Sequence, residues 1–189
     1  MKVKESNKRT VKSRGIGLFF LLFGTSLLVA IDQITKIVAQ KQLMEQGSIL
    51  IIPKILQFNY LENRGAAFGI LQDSRTFFLM ITIVVACIAI FIAWKLLADS
   101  KFNLLVINLT IFLAGAFGNF IDRLVRHYVI DFFEFKFIEF PVFNVADIYV
   151  TISFVFFLIL LFIVYKEEDF EGLFSKKKSK VVENKENNE

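Results

Sequence analysis

FNVADIYVTISFVFFLILLFIVY, residues Phe143 to Tyr165, is an apolar run long enough to cross a lipid bilayer, yet Asn144 and Asp147 lie in its first two turns. A helix needs roughly 18 to 20 apolar residues to cross the hydrocarbon core. An amide or a carboxylate in such a helix is costly in lipid, so it faces a protein interior or a wet cavity. The run therefore predicts a spanning helix with a polar site at one end.

Three other segments approach or exceed that length: Ile16 to Ile31 (extendable to Val38), Thr76 to Leu97, and Phe102 to Ile121. Four spans in 189 residues, 56% of them hydrophobic, give a mainly α membrane protein. The first segment is the shortest and follows a basic stretch from Lys2 to Arg14. A cleavable signal peptide is the lesser reading of it, because VAIDQITK, Val29 to Lys36, has no small-residue cleavage site.

Basic residues gather before the first span, at Lys95 and Lys101, and after the last span at Lys166, Lys176, Lys177, Lys178 and Lys180. Because Lys and Arg concentrate on the cytoplasmic side, both termini are expected there. The expected division is a basic N-terminal segment (1–15), a four-helix membrane domain (16–166) and a charged, largely disordered cytoplasmic tail (167–189). The net charge of +4 is then a topology signal, and without an aromatic-and-basic module it gives no reason to expect nucleic acid as a partner.

Two loops, about 39–75 and 123–141, fall on the opposite side. The first contains SILIIPKILQFNYLENRG, Ser48 to Gly65, with short β-branched and aromatic runs broken by Pro53 and by Asn63-Arg64-Gly65. That pattern predicts two or three short strands, a small extracytoplasmic β-sheet platform. Asp73 and Ser74 read as a helix cap before the second span. The second loop, RLVRHYVIDFFEFKFIEFP, is dense in Phe and Ile between charges and predicts an interfacial loop or helix.

One cysteine, Cys87, and one histidine, His127, leave no intramolecular disulfide and no zinc constellation. Cys87 reads as a small buried filler within the second span. No metal and no cofactor is expected.

The polar residues of the spans fall on stripes. Gly115, Asn119 and Arg123 lie at i, i+4 and i+8 with Asp122 beside them, and Asn144, Asp147 and Thr151 follow at steps of three and four. Gly115, Ala116 and Gly118 allow a neighbouring backbone to approach. HYVIDFFEF returns a third carboxylate, Asp131, set between Val129, Ile130, Phe132 and Phe133.

Two crowded carboxyls share a proton, so the ionised one can take a proton from attacking water while the other donates to the developing oxyanion. Asp147 is one member of such a pair. Asp131 is preferred as the second, because its apolar neighbours favour the protonated form, whereas Asp122 precedes the cation Arg123. Asp122 remains the alternative partner.

Asp32 and Lys36, at i and i+4, read as a helix-end pair worth about 0.2–0.5 kcal/mol. AIDQITK and FIDRLVR share an Ile-Asp step with a basic residue four positions after the Asp. Ordinary charge pairs at helix ends are preferred over an internal duplication. A different function class, a proton-coupled transporter or channel using the Asp and Asn cluster as a relay, is the alternative. Against it, the polar groups gather at one face, the inner halves of the spans read as apolar, and no broken helices appear.

Five motifs run in order from about Ala30 to Val150: DQITK (Asp32 to Lys36), NRGAAFGIL (Asn63 to Leu71), GAFGNFIDR (Gly115 to Arg123), VIDFF (Val129 to Phe133) and FNVAD (Phe143 to Asp147). In this order and spacing the chain resembles the bacterial lipoprotein signal peptidases (signal peptidase II). Ala114 departs from the pattern, standing where relatives often carry another Gly.

The resemblance implies an aspartyl endopeptidase, multi-pass in the bacterial cytoplasmic membrane, with its active site near the outer face. It implies Asp131 and Asp147 as the catalytic pair. Asn63, Gly65, Asn119, Arg123, Asn144, Ala146, Asp32 and Lys36 are implied to bind substrate or support the pair, and Asp122 stands among them with its part open. The implied substrate is a prolipoprotein whose cysteine already carries diacylglycerol, cut on the amino side of that cysteine by a monomer surrounded by membrane lipid.

Overall fold

The computed structural model describes residues 11–65 and 74–174. Among the described residues, four helices are long and apolar enough to cross a membrane. They are α1 (Val11–Gln46), α2 (Arg75–Leu96), α3 (Asn103–Val125) and α4 (Val145–Ile159), the last prolonged by a π-helical stretch, Leu160–Val164. Large apolar side chains such as Phe19, Phe91, Phe154 and Ile163 point outward and are exposed, as expected of surfaces that meet lipid.

Helix α1, expected to be the shortest span, is the longest helix described, with 36 residues. Asp32 and Lys36 interrupt its apolar run, but they are fully buried and paired at 2.9 Å, so the helix continues through them. Its last turns bury Ala39 and Leu43 against Ile130 and Phe132. The first long loop therefore begins only at Gly47, whose φ of 75° and N–H bond to the Leu43 carbonyl (2.9 Å) form a left-handed helix stop.

Three antiparallel strands form one sheet in the order β1 (Ile49–Ile52), β2 (Leu56–Asn63) and β3 (Val129–Phe135). The first two come from the first loop as expected. The third comes from the second loop, where an interfacial loop or helix was expected. The correction has a physical reason: β2 offers an unpaired edge, and pairing Leu61 with Asp131 and Asn63 with Val129 satisfies the backbone of both segments. Alternation along β3 turns Ile130 and Phe132 toward α1 and Asp131 toward the other face.

Helices α3 and α4 approach to backbone contact. A Cβ at Gly115 would lie 2.5 Å from the Ala146 carbonyl oxygen, so only glycine fits there. At the end away from the sheet, Leu97, Phe102, Leu105, Leu160 and Tyr165 form a second core.

That core holds a fifth helix, α5 (Glu167–Phe174), where a disordered tail was expected to begin. Phe170 stacks on Phe102 at 5.5 Å, and Lys101 pairs with Asp169 at 3.5 Å, contacts between residues too distant in sequence to be read locally. The remaining tail, 175–189, lies outside the described residues.

Other expectations need smaller corrections. Ser74 occupies the N-cap position of α2 but its side chain makes no cap bond, and Asp73 lies outside the described residues. Cys87 is exposed on the outward face of α2; the buried positions belong to Ala86, Ala89 and Ala93. The spans are not wholly apolar beyond the site, since Asn108 and Ser153 are buried within them.

Candidate active site

The start of α4 explains the polar residues that open its apolar run. Asn144 is the N-cap: its Oδ1 accepts from the Asp147 N–H at 3.1 Å, and Asp147 Oδ2 accepts from the Asn144 N–H at 3.0 Å. This reciprocal capping box satisfies backbone donors that lipid cannot. The other Asp147 oxygen, Oδ1, accepts from Asn119 Nδ2 at 2.8 Å.

Asp131 reaches the same place from the sheet and is 1% exposed. Its Oδ2 accepts from Asn63 Nδ2 at 2.8 Å and its Oδ1 from Asn144 Nδ2 at 2.6 Å. Burial pushes its carboxyl up to about 7, helped by the charge of Asp147 and opposed by the bonds from Asn63 and Asn144 and the charge of Lys36.

Arg123 completes this side. Its Nη2 donates to the Gly65 carbonyl at 3.2 Å, its Nη1 to the Asn119 carbonyl at 3.4 Å, and its guanidinium lies 4.6 Å from the centre of the Phe78 ring. The Gly65 N–H in turn donates to Asn63 Oδ1 at 3.0 Å, which ties the end of β2 to the site. Asn63, Gly65, Asn119, Arg123, Asp131 and Asp147 all line one cavity of about 450 Å³. Its other wall is apolar, with Phe140, Pro141, Val142, Phe143, Ile148 and Ile152.

Five predicted site residues do not line this cavity: Asp32, Lys36, Asp122, Asn144 and Ala146. The three charged ones are fully buried behind it. Lys36 Nζ lies 2.9 Å from both Asp32 Oδ2 and Asp122 Oδ2 and donates to Asn119 Oδ1 at 2.9 Å. Asp32 and Lys36 are thus no solvated helix-end pair, and the few tenths of a kcal/mol of such pairs do not describe them.

The cation expected to engage Asp122, Arg123, turns toward Gly65 and Phe78 instead. Arg126, one helical turn on, takes its place, because residues at i and i+4 face each other and those at i and i+1 do not.

Two residues of this region were missed. Gln33 donates through Nε2 to the Gly118 carbonyl and Asp122 Oδ1, both at 3.1 Å, and accepts from Arg126. Its only sequence signal was its place inside DQITK. Arg75 donates to the Arg123 and Leu124 carbonyls at 2.7 and 2.9 Å, capping the end of α3. Among the described residues no cluster of three His, Cys, Asp or Glu side chains is placed to hold a metal ion.

The sequence model of a family described as signal peptidase (SPase) II matches residues 25–163, a span that holds every residue of the cavity. A protein named lipoprotein signal peptidase from Streptococcus agalactiae is 43% identical over 144 residues, covering 76% of this chain and 90% of the relative. Proteins of the same name are 45% identical in Streptococcus pneumoniae, covering 75% of this chain and 90% of the relative, and 45% in Caldanaerobacter subterraneus, covering 68% and 86%.

A bacterial membrane enzyme solved by the in meso method at 2.3 Å superposes with a TM-score of 0.64 at 28% identity, covering 94% of this chain and 98% of its own. A second, solved at 1.9 Å, gives 0.65 at 29%, covering 85% and 99%. The agreement extends from the motifs to the helices and sheet that carry them, and the chain belongs to the signal peptidase II family of peptidases.

Proposed function

We propose that this chain removes signal peptides from diacylglyceryl-modified prolipoproteins, cleaving on the amino side of the lipidated cysteine with water activated between Asp131 and Asp147. The observation that carries the proposal is that the two carboxylates line one cavity and are both bonded to Asn144.

Burial keeps a proton on Asp131 near neutral pH. Asp147, fixed by Asn119 and the Asn144 N–H, is the base. It takes a proton as a water oxygen bonds to the scissile carbonyl carbon, while Asp131 donates its proton to the carbonyl oxygen. The tetrahedral adduct then collapses: the C–N bond breaks, the leaving amine takes the proton held by Asp147, and the new acid's hydroxyl returns a proton to Asp131.

The apolar wall of the cavity suits the acyl chains of such a substrate, and the polar wall suits its peptide. The distribution of Lys and Arg supports cytoplasmic termini and a site at the outer face of the bacterial cytoplasmic membrane, with one copy of the chain holding the whole site.

The test is purified protein in detergent with a lipidated precursor peptide and its unlipidated twin. Cleavage before the lipidated cysteine alone is expected. No cleavage of either, or equal cleavage of both, refutes the proposal.

A further inference from the structure

Behind the cavity lies a second pair of carboxylates that touches no reacting position, and each member grips the backbone beside one of the acids in front. Asp32 Oδ1 accepts from the N–H of Ala146, the residue before Asp147, at 2.9 Å. Asp122 Oδ2 accepts from the N–H of Ile130, the residue before Asp131, at 3.3 Å. Lys36 Nζ stands 2.9 Å from an oxygen of each, joining the two grips through one cation.

The same ammonium fixes an amide of the cavity. Asn119 Oδ1 accepts from Lys36 at 2.9 Å and from Asn144 Nδ2 at 3.1 Å, which leaves the Asn119 Nδ2 to meet Asp147 at 2.8 Å. A flipped Asn119 would point its oxygen at a carboxylate, so the cation selects the working orientation. Gly118 leaves the room this needs, since a Cβ there would lie 2.5 Å from Asp32 Oδ2 and 3.0 Å from the Ala146 Cβ.

Burying three charges is an expensive way to join helices, because each ion must be stripped of its water and apolar packing of equal volume is often as stable. What the ions add over apolar packing is fixed geometry. From this geometry we infer that Asp32 and Asp122, bridged by Lys36, form a positioning clamp that sets the separation of Asp131 and Asp147 and the orientation of Asn119. The inference rests on the function proposed above and deepens it. It also accounts for the shared pattern of AIDQITK and FIDRLVR: each supplies an Asp with a base one turn on, and Lys36 of the first crosses to the Asp of the second.

Two variants test the clamp against a lipidated precursor, with kcat, KM and thermal stability measured for each. Asp32→Asn with Lys36→Met removes one charge of each sign and leaves Asp122 paired with Arg126. Displacement of a reacting group by about 1 Å costs roughly 100-fold, so kcat is expected to fall about 100-fold with KM within about twofold. Gly118→Ala disturbs Asp32 without changing a charge and favours the helix. It is expected to lower kcat about tenfold, again with KM held, and it decides the matter alone if the double variant does not fold.

The clamp is refuted by a folded variant with wild-type kcat, or by losses that appear equally as a rise in KM or a loss of folded protein. Failure of the wild type itself to cleave refutes the proposed function. Wild-type cleavage with unchanged variants refutes only the clamp.

Discussion

Asn144 is bonded to both carboxylates of the cavity, through its side-chain amide to Asp131 at 2.6 Å and through its backbone N–H to Asp147 at 3.0 Å. The residue that caps α4 therefore also bridges the two acids, and serine separates the two roles. Asn144→Ala is expected to lose about 1 kcal/mol of stability with the cap and about 100-fold in cleavage. Asn144→Ser keeps a capping oxygen but cannot reach Asp131, so stability is expected near wild type with cleavage still down about 10- to 100-fold. Melting and cleavage measured on the same samples check this, and full activity in Asn144→Ser removes any role for the bridge.

The two acids themselves differ from the acid behind them. Asp131→Asn and Asp147→Asn are each expected to lower cleavage about 1000-fold or more while the protein stays folded in detergent. Asp122→Asn is expected to cost less, because Asp122 does not line the cavity. If Asp122→Asn alone abolishes turnover and Asp131→Asn retains it, the pairing is wrong. Cleavage is also expected to be unchanged by EDTA, and its loss on chelation reveals a metal in the reaction.

The raised carboxyl of Asp131 makes a pH prediction with two signs to check. In the proposed mechanism turnover needs its proton, so kcat/KM is expected to fall about tenfold per pH unit above about 7. Stability moves the same way for a different reason. The folded protein holds this proton up to about 7 and the unfolded chain releases it near 3.8, so the folded state binds more protons between those values. Stability from this group is therefore present below about pH 4 and is lost as pH rises toward about 7, by on the order of 4 kcal/mol. The wild-type Tm should drop across that window relative to Asp131→Asn, and a constant difference between the two rules out the shifted titration.

What the sequence made legible follows from how local each constraint is. Crossing lipid demands a continuous apolar length, so α2, α3 and α4 could be read within a few residues of their ends. The length of α1 could not, because Asp32 and Lys36 look like an end until their partner Asp122, 90 residues away, is in place. The preference for Asp131 over Asp122 rested on its apolar neighbours, but Ile130 and Phe132 face α1, away from Asp131, and both acids are buried. The argument from Arg123 was misplaced, since the helix turns that side chain away and brings Arg126 in. Strand β3 was hidden because its aromatic run fits an interface as well as a sheet, and only the free edge of β2 decides between them.

Helix α5 lies beyond the span matched by the family and at the end of the bundle away from the cavity, so it offers a control on how far the site depends on the rest of the fold. Phe170 packs between Phe102 and Tyr165, with ring centroids 5.5 and 5.8 Å away, and is half-buried. Truncating a fully buried Phe costs about 3–5 kcal/mol, so Phe170→Ala, only partly buried, is expected to cost about 1–2 kcal/mol. For a chain of this size that is a Tm lowered by roughly 2–8 °C. Tyr165→Phe removes only the hydroxyl bond to the Lys101 carbonyl, 2.7 Å long, and is expected to cost about 1 kcal/mol. Both are expected to leave kcat and KM within about twofold at temperatures where the protein is folded, because neither side chain lines the cavity. A loss of kcat at full folding, comparable to that of Asn144→Ala, shows instead that the far end of α4 transmits its position to Asp147.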